Sequence, residues 1–228
     1  MQSLNLRMAT LKDKYKIAII TDEDSWINPY AEQLVDAVNE LGHDISWKHD
    51  FDSDTRYDMV FLLSYSKIIL ANGLKLNKHN LVVHESALPQ GRGWSPLSWQ
   101  ILEGKTHFPI TLFEAAEHVD AGQIYLQKEM IFTGTELVED LRKIQGQSTV
   151  EICLEFISKY PAIIALARKQ QGTESFYPRR TPKDSKLDVS KTIAEQFDLL
   201  RIVDNQKYPA WFEYRGKKYK VQIDYFDR

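Results

Sequence analysis

Three runs of consecutive apolar residues constrain this chain more than any other feature: Ile17-Ala18-Ile19-Ile20, Met59-Val60-Phe61-Leu62-Leu63, and Leu81-Val82-Val83 just before His84. A strand that is apolar at every position must be covered on both faces. The stretch after the first run supplies a cover. Leu34, Val35, Val38 and Leu41 recur at helical spacing; Asn28 can cap the start, Pro29 suits the first turn, and Gly42 closes the end. Strand, helix, strand in that order predicts an α/β chain whose mostly parallel sheet is flanked by helices, with right-handed crossovers. A weaker strand is expected at Asp44–Lys48.

Downstream, Ser95 and Pro96 open a second helix that runs to Leu102 and stops at Gly104. Strands are expected at Pro109–Phe113 and Gln123–Leu126, and helices over 135–145 and 148–169, interrupted at Tyr160-Pro161. The first fifteen residues are polar and unpatterned and read as a loose arm. After Gly172 the composition changes. Residues 176–188 read as extended chain, Thr192–Arg201 as a helix, and Trp211–Tyr214 with Lys218–Ile223 as a hairpin around Arg215-Gly216-Lys217. The expected division is 1–172 and 173–228, the second part too small to fold alone.

At 228 residues and 43% hydrophobic the chain can bury a sizeable core. Its net charge of −3, from 29 basic and 32 acidic residues, gives no general attraction to nucleic acid or anionic membranes. The single Cys153 excludes an internal disulfide and a multi-cysteine zinc site. No run of about 18 apolar residues exists, and residues 1–16 lack a signal-peptide core, so a cytoplasmic protein is expected.

His43 sits at a helix end, and His49, His79 and His107 lie in polar stretches expected to face solvent. None has the partner spacing of a helical metal motif, so no metal site is expected. His84 differs, because it ends a buried strand at the edge where open α/β sheets bind ligands. The loop after it, Leu88-Pro89-Gln90-Gly91-Arg92-Gly93-Trp94, joins a rigid bend, two glycines that permit close backbone approach, and an Arg/Trp pair suited to contacts. A tight turn with Trp94 in the core is the alternative. Asp120, in a turn before the next strand, could hydrogen-bond His84, fix its tautomer and stabilise its charged form.

His84-Glu85-Ser86-Ala87-Leu88-Pro89-Gln90-Gly91-Arg92-Gly93, Ser95–Gly104, Ile110–Phe113 and Val119-Asp120-Ala121-Gly122-Gln123-Ile124 together resemble the 10-formyltetrahydrofolate-dependent formyltransferase family over about Lys16–Ile131. The resemblance implies a Rossmann-like formyltransferase domain and N10-formyltetrahydrofolate as co-substrate. It further implies His84 and Asp120 as catalytic groups, and a folate site at Tyr65, Ile68, Ile69, Glu117 and Asp120. Ser86, Arg92 and Trp94 are expected on the acceptor side.

Tyr177–Asp188 and Arg201…Tyr208-Pro209-Ala210-Trp211-Phe212 resemble the sugar N-formyltransferase branch, and the chain ends before the basic C-terminal barrel of the tRNA-directed enzymes. These features imply a nucleotide-linked amino sugar as acceptor, in glycan precursor synthesis. A homodimer through the hairpin is one option, packing of the hairpin on its own domain another. One position departs from the family. Where the family carries an Asn two residues before the His, this chain has Val82; Asn80 lies on the same face but about 13 Å from His84 along a strand. The alternative reading is therefore an impaired homologue that binds folate or nucleotide-sugar without transferring the formyl group.

Overall fold

The computed structural model describes residues 13–226, so the expected N-terminal arm lies almost wholly outside the described residues. A six-stranded sheet of order β2-β1-β3-β4-β6-β7 forms the centre. Its strands are β1 (Lys16–Ile20), β2 (Asp44–Lys48), β3 (Met59–Leu62), β4 (His79–His84), β6 (Phe108–Glu114) and β7 (Ile124–Met130). β2, β1, β3 and β4 run parallel. β6 and β7 turn antiparallel, with Val82 opposite Phe113 and His84 opposite Thr111.

The apolar runs are covered on both faces, as continuous hydrophobicity requires. Ile17, Ile19, Met59, Phe61, Leu81 and Val83 join one core with α1 (Asn28–Glu40) and α4 (Val138–Lys159). The alternate residues Ala18, Ile20, Val60, Leu62 and Val82 face the segment that carries Tyr65 and Ile69. Removing Phe61, which is fully buried, should cost about 3–5 kcal/mol through lost burial and the cavity left behind.

Several local expectations change. Asn28 does not cap α1: it is the first helical residue, Ile27 precedes it, and its amide instead donates to the Asp22 and Glu23 carbonyls. α3 (Pro96–Leu102) likewise lacks a side-chain cap, because Ser95 has left-handed backbone (φ 48°). The helices expected at 135–145 and 148–169 are one helix of 22 residues, α4, which stops at Lys159 before the Tyr160-Pro161 pair. His79 is partly buried rather than solvent-facing and meets the Glu114 carboxylate at 3.0 Å, whereas His49 is exposed as expected, with its ring near Thr21.

The C-terminal segment is tied back to the sheet. β8 (Phe176–Tyr177) pairs with β5 (Arg92–Gly93) in a small parallel sheet, and Ile202, just after α5 (Phe197–Arg201), enters the main core. Arg201, 4% exposed, donates to the Glu136 carbonyl at 3.0 Å and to its carboxylate at 2.9 Å. The expected hairpin forms as β9 (Ala210–Tyr214) and β10 (Lys217–Val221), with both Arg215 and Gly216 at positive φ, the signature of a tight two-residue turn. α2 (Ala71–Leu74) is a single turn after β3.

Candidate active site

A cleft of about 680 Å³ crosses the carboxyl edge of β3 and β4, where open α/β sheets bind ligands. On the sheet face shared with Ile20 and Val60 its walls include Leu62, Tyr65, Ile69, Val82, Phe113 and Ala115. Beyond the edge, on the α4 side, they include Trp26, Leu97, Leu141, Gln145 and Ile202, ending on Arg179, Arg180 and Lys207. His84, Glu85, Gly93 and Asp120 line the same cleft. Of the residues expected from sequence, the cleft brings together Tyr65, Ile68, Ile69, His84, Trp94, Glu117 and Asp120.

His84 is 6% exposed. Its Nε2 lies 2.7 Å from the Gly91 carbonyl, and a carbonyl only accepts, so the proton is assigned to Nε2 and Nδ1 is the basic atom of the neutral ring. The expected hydrogen bond to Asp120 is absent, since Nε2 and Oδ2 are 3.9 Å apart. Asp120 Oδ2 instead accepts the Gly93 backbone N–H at 2.9 Å. The loop carbonyl, not the carboxylate, therefore sets the tautomer, while Asp120 stays near enough to stabilise an imidazolium by charge.

Arg92 does not reach the cleft. Its guanidinium donates to Glu174 (2.5 Å) and Gln170 (2.6 Å), and Gln170 in turn donates to the carbonyls of Asp120 (2.7 Å) and Gly122 (2.9 Å). Arg92 and Gln170 thus hold the Asp120 turn, whose left-handed backbone (φ 53°) costs energy in a non-glycine residue. Ser86 is 1% exposed, lies outside the cleft lining, and has a buried hydroxyl without a partner. Trp94 is 41% exposed with the Arg179 guanidinium 4.8 Å over its ring, which excludes the buried alternative.

Val82 packs with Leu88, Phe113 and Ile124, so an apolar wall stands two residues before His84. Asn80 offers no substitute amide there: its side chain donates to the Leu74 carbonyl and accepts from Asn77. Gln145, Gln170 and the Arg179/Arg180 pair carry no functional assignment from sequence, and Glu85 is left there between a substrate contact and a solvent-facing position. Gln145 and Gln170 approach only through packing of distant segments, which no local pattern records. Burial pushes the Glu85 carboxyl up, against the opposing pull of His84 and a 2.7 Å hydrogen bond from Gln145. Burial also lowers the Arg180 guanidinium, whose Nε has no protein partner.

Among the described residues no cluster suits a metal ion, and no helix is long and apolar enough to cross a membrane. Residues 49–155 match the formyl transferase family model. A methionyl-tRNA formyltransferase of Thermotoga neapolitana is 29% identical over 166 residues, covering 72% of this chain and 53% of that protein. This chain spans about half the length of the first such curated relatives. Solved structures share the fold. Methionyl-tRNA formyltransferase from Clostridium thermocellum aligns with a TM-score of 0.77 at 21% identity, over 91% of this chain and 92% of that one. HypX from Aquifex aeolicus in complex with tetrahydrofolic acid gives 0.77 at 17%, over 92% of this chain and 38% of that one. A 4-N formyltransferase from Francisella tularensis gives 0.69 at 18%, over 92% and 97%.

Proposed function

We propose that this chain transfers a formyl group from N10-formyltetrahydrofolate to the primary amine of a nucleotide-linked amino-deoxy sugar. The observation that carries this reading is one cleft lined by His84 and Asp120 together with an apolar wall and the cations Arg179, Arg180 and Lys207. The apolar wall of Leu62, Ile69, Val82, Phe113 and Ala115 suits a flat pterin ring, and Tyr65, Ile68 and Glu117 line the same cleft. The cleft is also lined by Arg179, Arg180 and Lys207, cations suited to a diphosphate, and Arg180 Nε is buried with its hydrogen-bonding capacity unused. Trp94 beneath Arg179 would extend that set toward the nucleotide.

An amine attacks only as its free base, and attack leaves charge on the formyl oxygen and a surplus proton on nitrogen. His84 accepts that proton at Nδ1 and donates it onward to the departing nitrogen. The imidazolium formed between these steps is stabilised by Asp120 across 3.9 Å and helps hold the charged oxygen. Arg92 belongs to the support of the Asp120 turn rather than to the acceptor.

A second reading, formyl transfer to methionyl-tRNA, is favoured by the names of the curated relatives. One assay separates the readings: tetrahydrofolate release followed by absorbance, with UDP-, dTDP- and GDP-linked amino sugars, methionyl-tRNA, or no acceptor. Release with one amino sugar alone supports the proposal, and release with methionyl-tRNA alone supports the second reading. Release without acceptor indicates hydrolysis. Silence throughout, with folate still bound by calorimetry, supports the binding homologue that Val82 suggests.

A further inference from the structure

We propose that Glu85 is the acceptor-side base: its carboxylate receives the substrate's ammonium group and takes one proton from it. The inference rests on the transfer reading above and names a residue to which that reading gives no role.

A desolvated carboxylate is costly unless a cation or several donors face it. Glu85 has little of either. Gln145 donates one hydrogen bond to Oε1 at 2.7 Å. The neighbouring groups are the wrong kind or already engaged. His84 is the nearest group able to become positive, but its Nε2–H points to the Gly91 carbonyl. Asp120 repels it. Arg142, one helical turn before Gln145 on α4, pairs with Asp204 at 2.9 Å and Glu139 at 3.2 Å. Among the described residues, no Lys or Arg pairs with Glu85.

The other carboxylates of the cleft are either answered or exposed. Asp120 accepts from Gly93, Asp22 from the Ser66 N–H, and Asp204 from Arg142 and the N–H groups of Gln206 and Lys207. Glu117 is exposed. Glu85 is left as the carboxylate beside His84, on the side of Gln145, that lacks a counter-charge. Burial lifts its proton affinity, which suits a group that must take a proton near neutral pH.

An alkyl amine is mostly ammonium near neutral pH. In the inferred step one N–H bond breaks and its electron pair stays on nitrogen, while an O–H bond forms on Glu85. The products are a free amine and a neutral carboxylic acid, which later returns its proton to solvent. His84 handles the second proton, the one released by attack. Two protons leave the nitrogen, one to Glu85 and one to His84.

Calorimetry with amine and hydroxyl versions of the same ligand tests this: UDP-, dTDP- and GDP-linked 4-amino-4,6-dideoxyhexoses against the corresponding 6-deoxyhexoses. Wild type should favour the amine in at least one pair by about 10–100-fold, the scale of a charged hydrogen bond. Glu85→Gln, which preserves shape and the Gln145 contact, should lose that preference while binding the hydroxyl sugar and tetrahydrofolate as wild type does. A wild type without amine preference in any pair overturns the proposal, as does a Glu85→Gln protein that keeps it. Because tetrahydrofolate release is read separately, a wild type that turns over an amino sugar while Glu85→Gln matches it refutes the role of Glu85 alone. A wild type that releases no tetrahydrofolate with any amino sugar refutes the transfer reading instead.

Discussion

Glu136 and Glu85 are both drawn away from water, yet their surroundings differ in kind. Glu136 sits where the C-terminal segment meets the main sheet, among donors: Arg201, the Thr133 hydroxyl, and the backbone N–H groups of Thr133 and Gly134. Burial alone would raise its carboxyl, but the Thr133 and Gly134 donors hold it below the ordinary 4.5. Glu85, in the cleft, has one side-chain donor and is raised above 4.5. A buried charge that the protein answers in full holds elements together. One that it answers only in part leaves room for a ligand to supply the rest.

The largest effect should fall on turnover. His84→Ala should lower it by about 10²–10⁴-fold, the value of positioned acid–base help, while thermal melting stays near wild type. Full activity in that variant would remove the cleft from the comparison. Next in size, Arg201→Met should strand the Glu136 carboxylate and cost about 3–5 kcal/mol in urea denaturation. An unchanged midpoint would mean that the donors from Thr133 and Gly134 suffice. Gln170→Leu should reduce turnover by about 10-fold or more through a displaced Asp120 turn, with acceptor affinity in calorimetry little altered.

The smallest effect is the sharpest, because its sign differs between the two glutamates. Glu85's native value lies above its unfolded one, so the ionised native form is penalised at neutral pH and relieved as pH falls toward 4.5. Glu136 contributes above 4.5 and loses that contribution as pH falls through its lower native value. Glu85→Gln should therefore melt at or above wild type at neutral pH, with the gain fading toward acid. Glu136→Gln should melt below wild type at neutral pH, with the deficit narrowing toward acid. Parallel curves for the two variants would break the distinction.

The parallel half of the sheet was legible because its evidence is local and repeated: β1, β3 and β4 are apolar without interruption, and α1 carries a regular stripe. The edge position of His84 followed from the end of its strand. What escaped was anything that depends on where a long side chain turns. Arg92 reads as a contact residue in a glycine-rich loop, but Glu174 and Gln170, some eighty positions downstream, capture it. Asn28 has the right type for a cap, but carbonyls of the preceding turn take its amide. α4 ends before Tyr160-Pro161 as expected, but the gap at 146–147 does not form: Gly146 lies inside the helix, where a Cβ would come within 2.4 Å of the Tyr30 ring.

A Cβ on Gly93 would stand 2.5 Å from the Tyr177 carbonyl oxygen. That oxygen accepts the Trp94 N–H at 3.1 Å, while the Gly93 N–H on the same short strand holds Asp120. The C-terminal piece is therefore not an interchangeable specificity module. A chimaera that grafts a foreign tail after residue 172 must restore a carbonyl at the site of Tyr177's, or the Gly93 strand loses its register and Asp120 its anchor. Exchange of acceptor preference between relatives should succeed only when the 91–94 loop and the 175–178 strand are transplanted together.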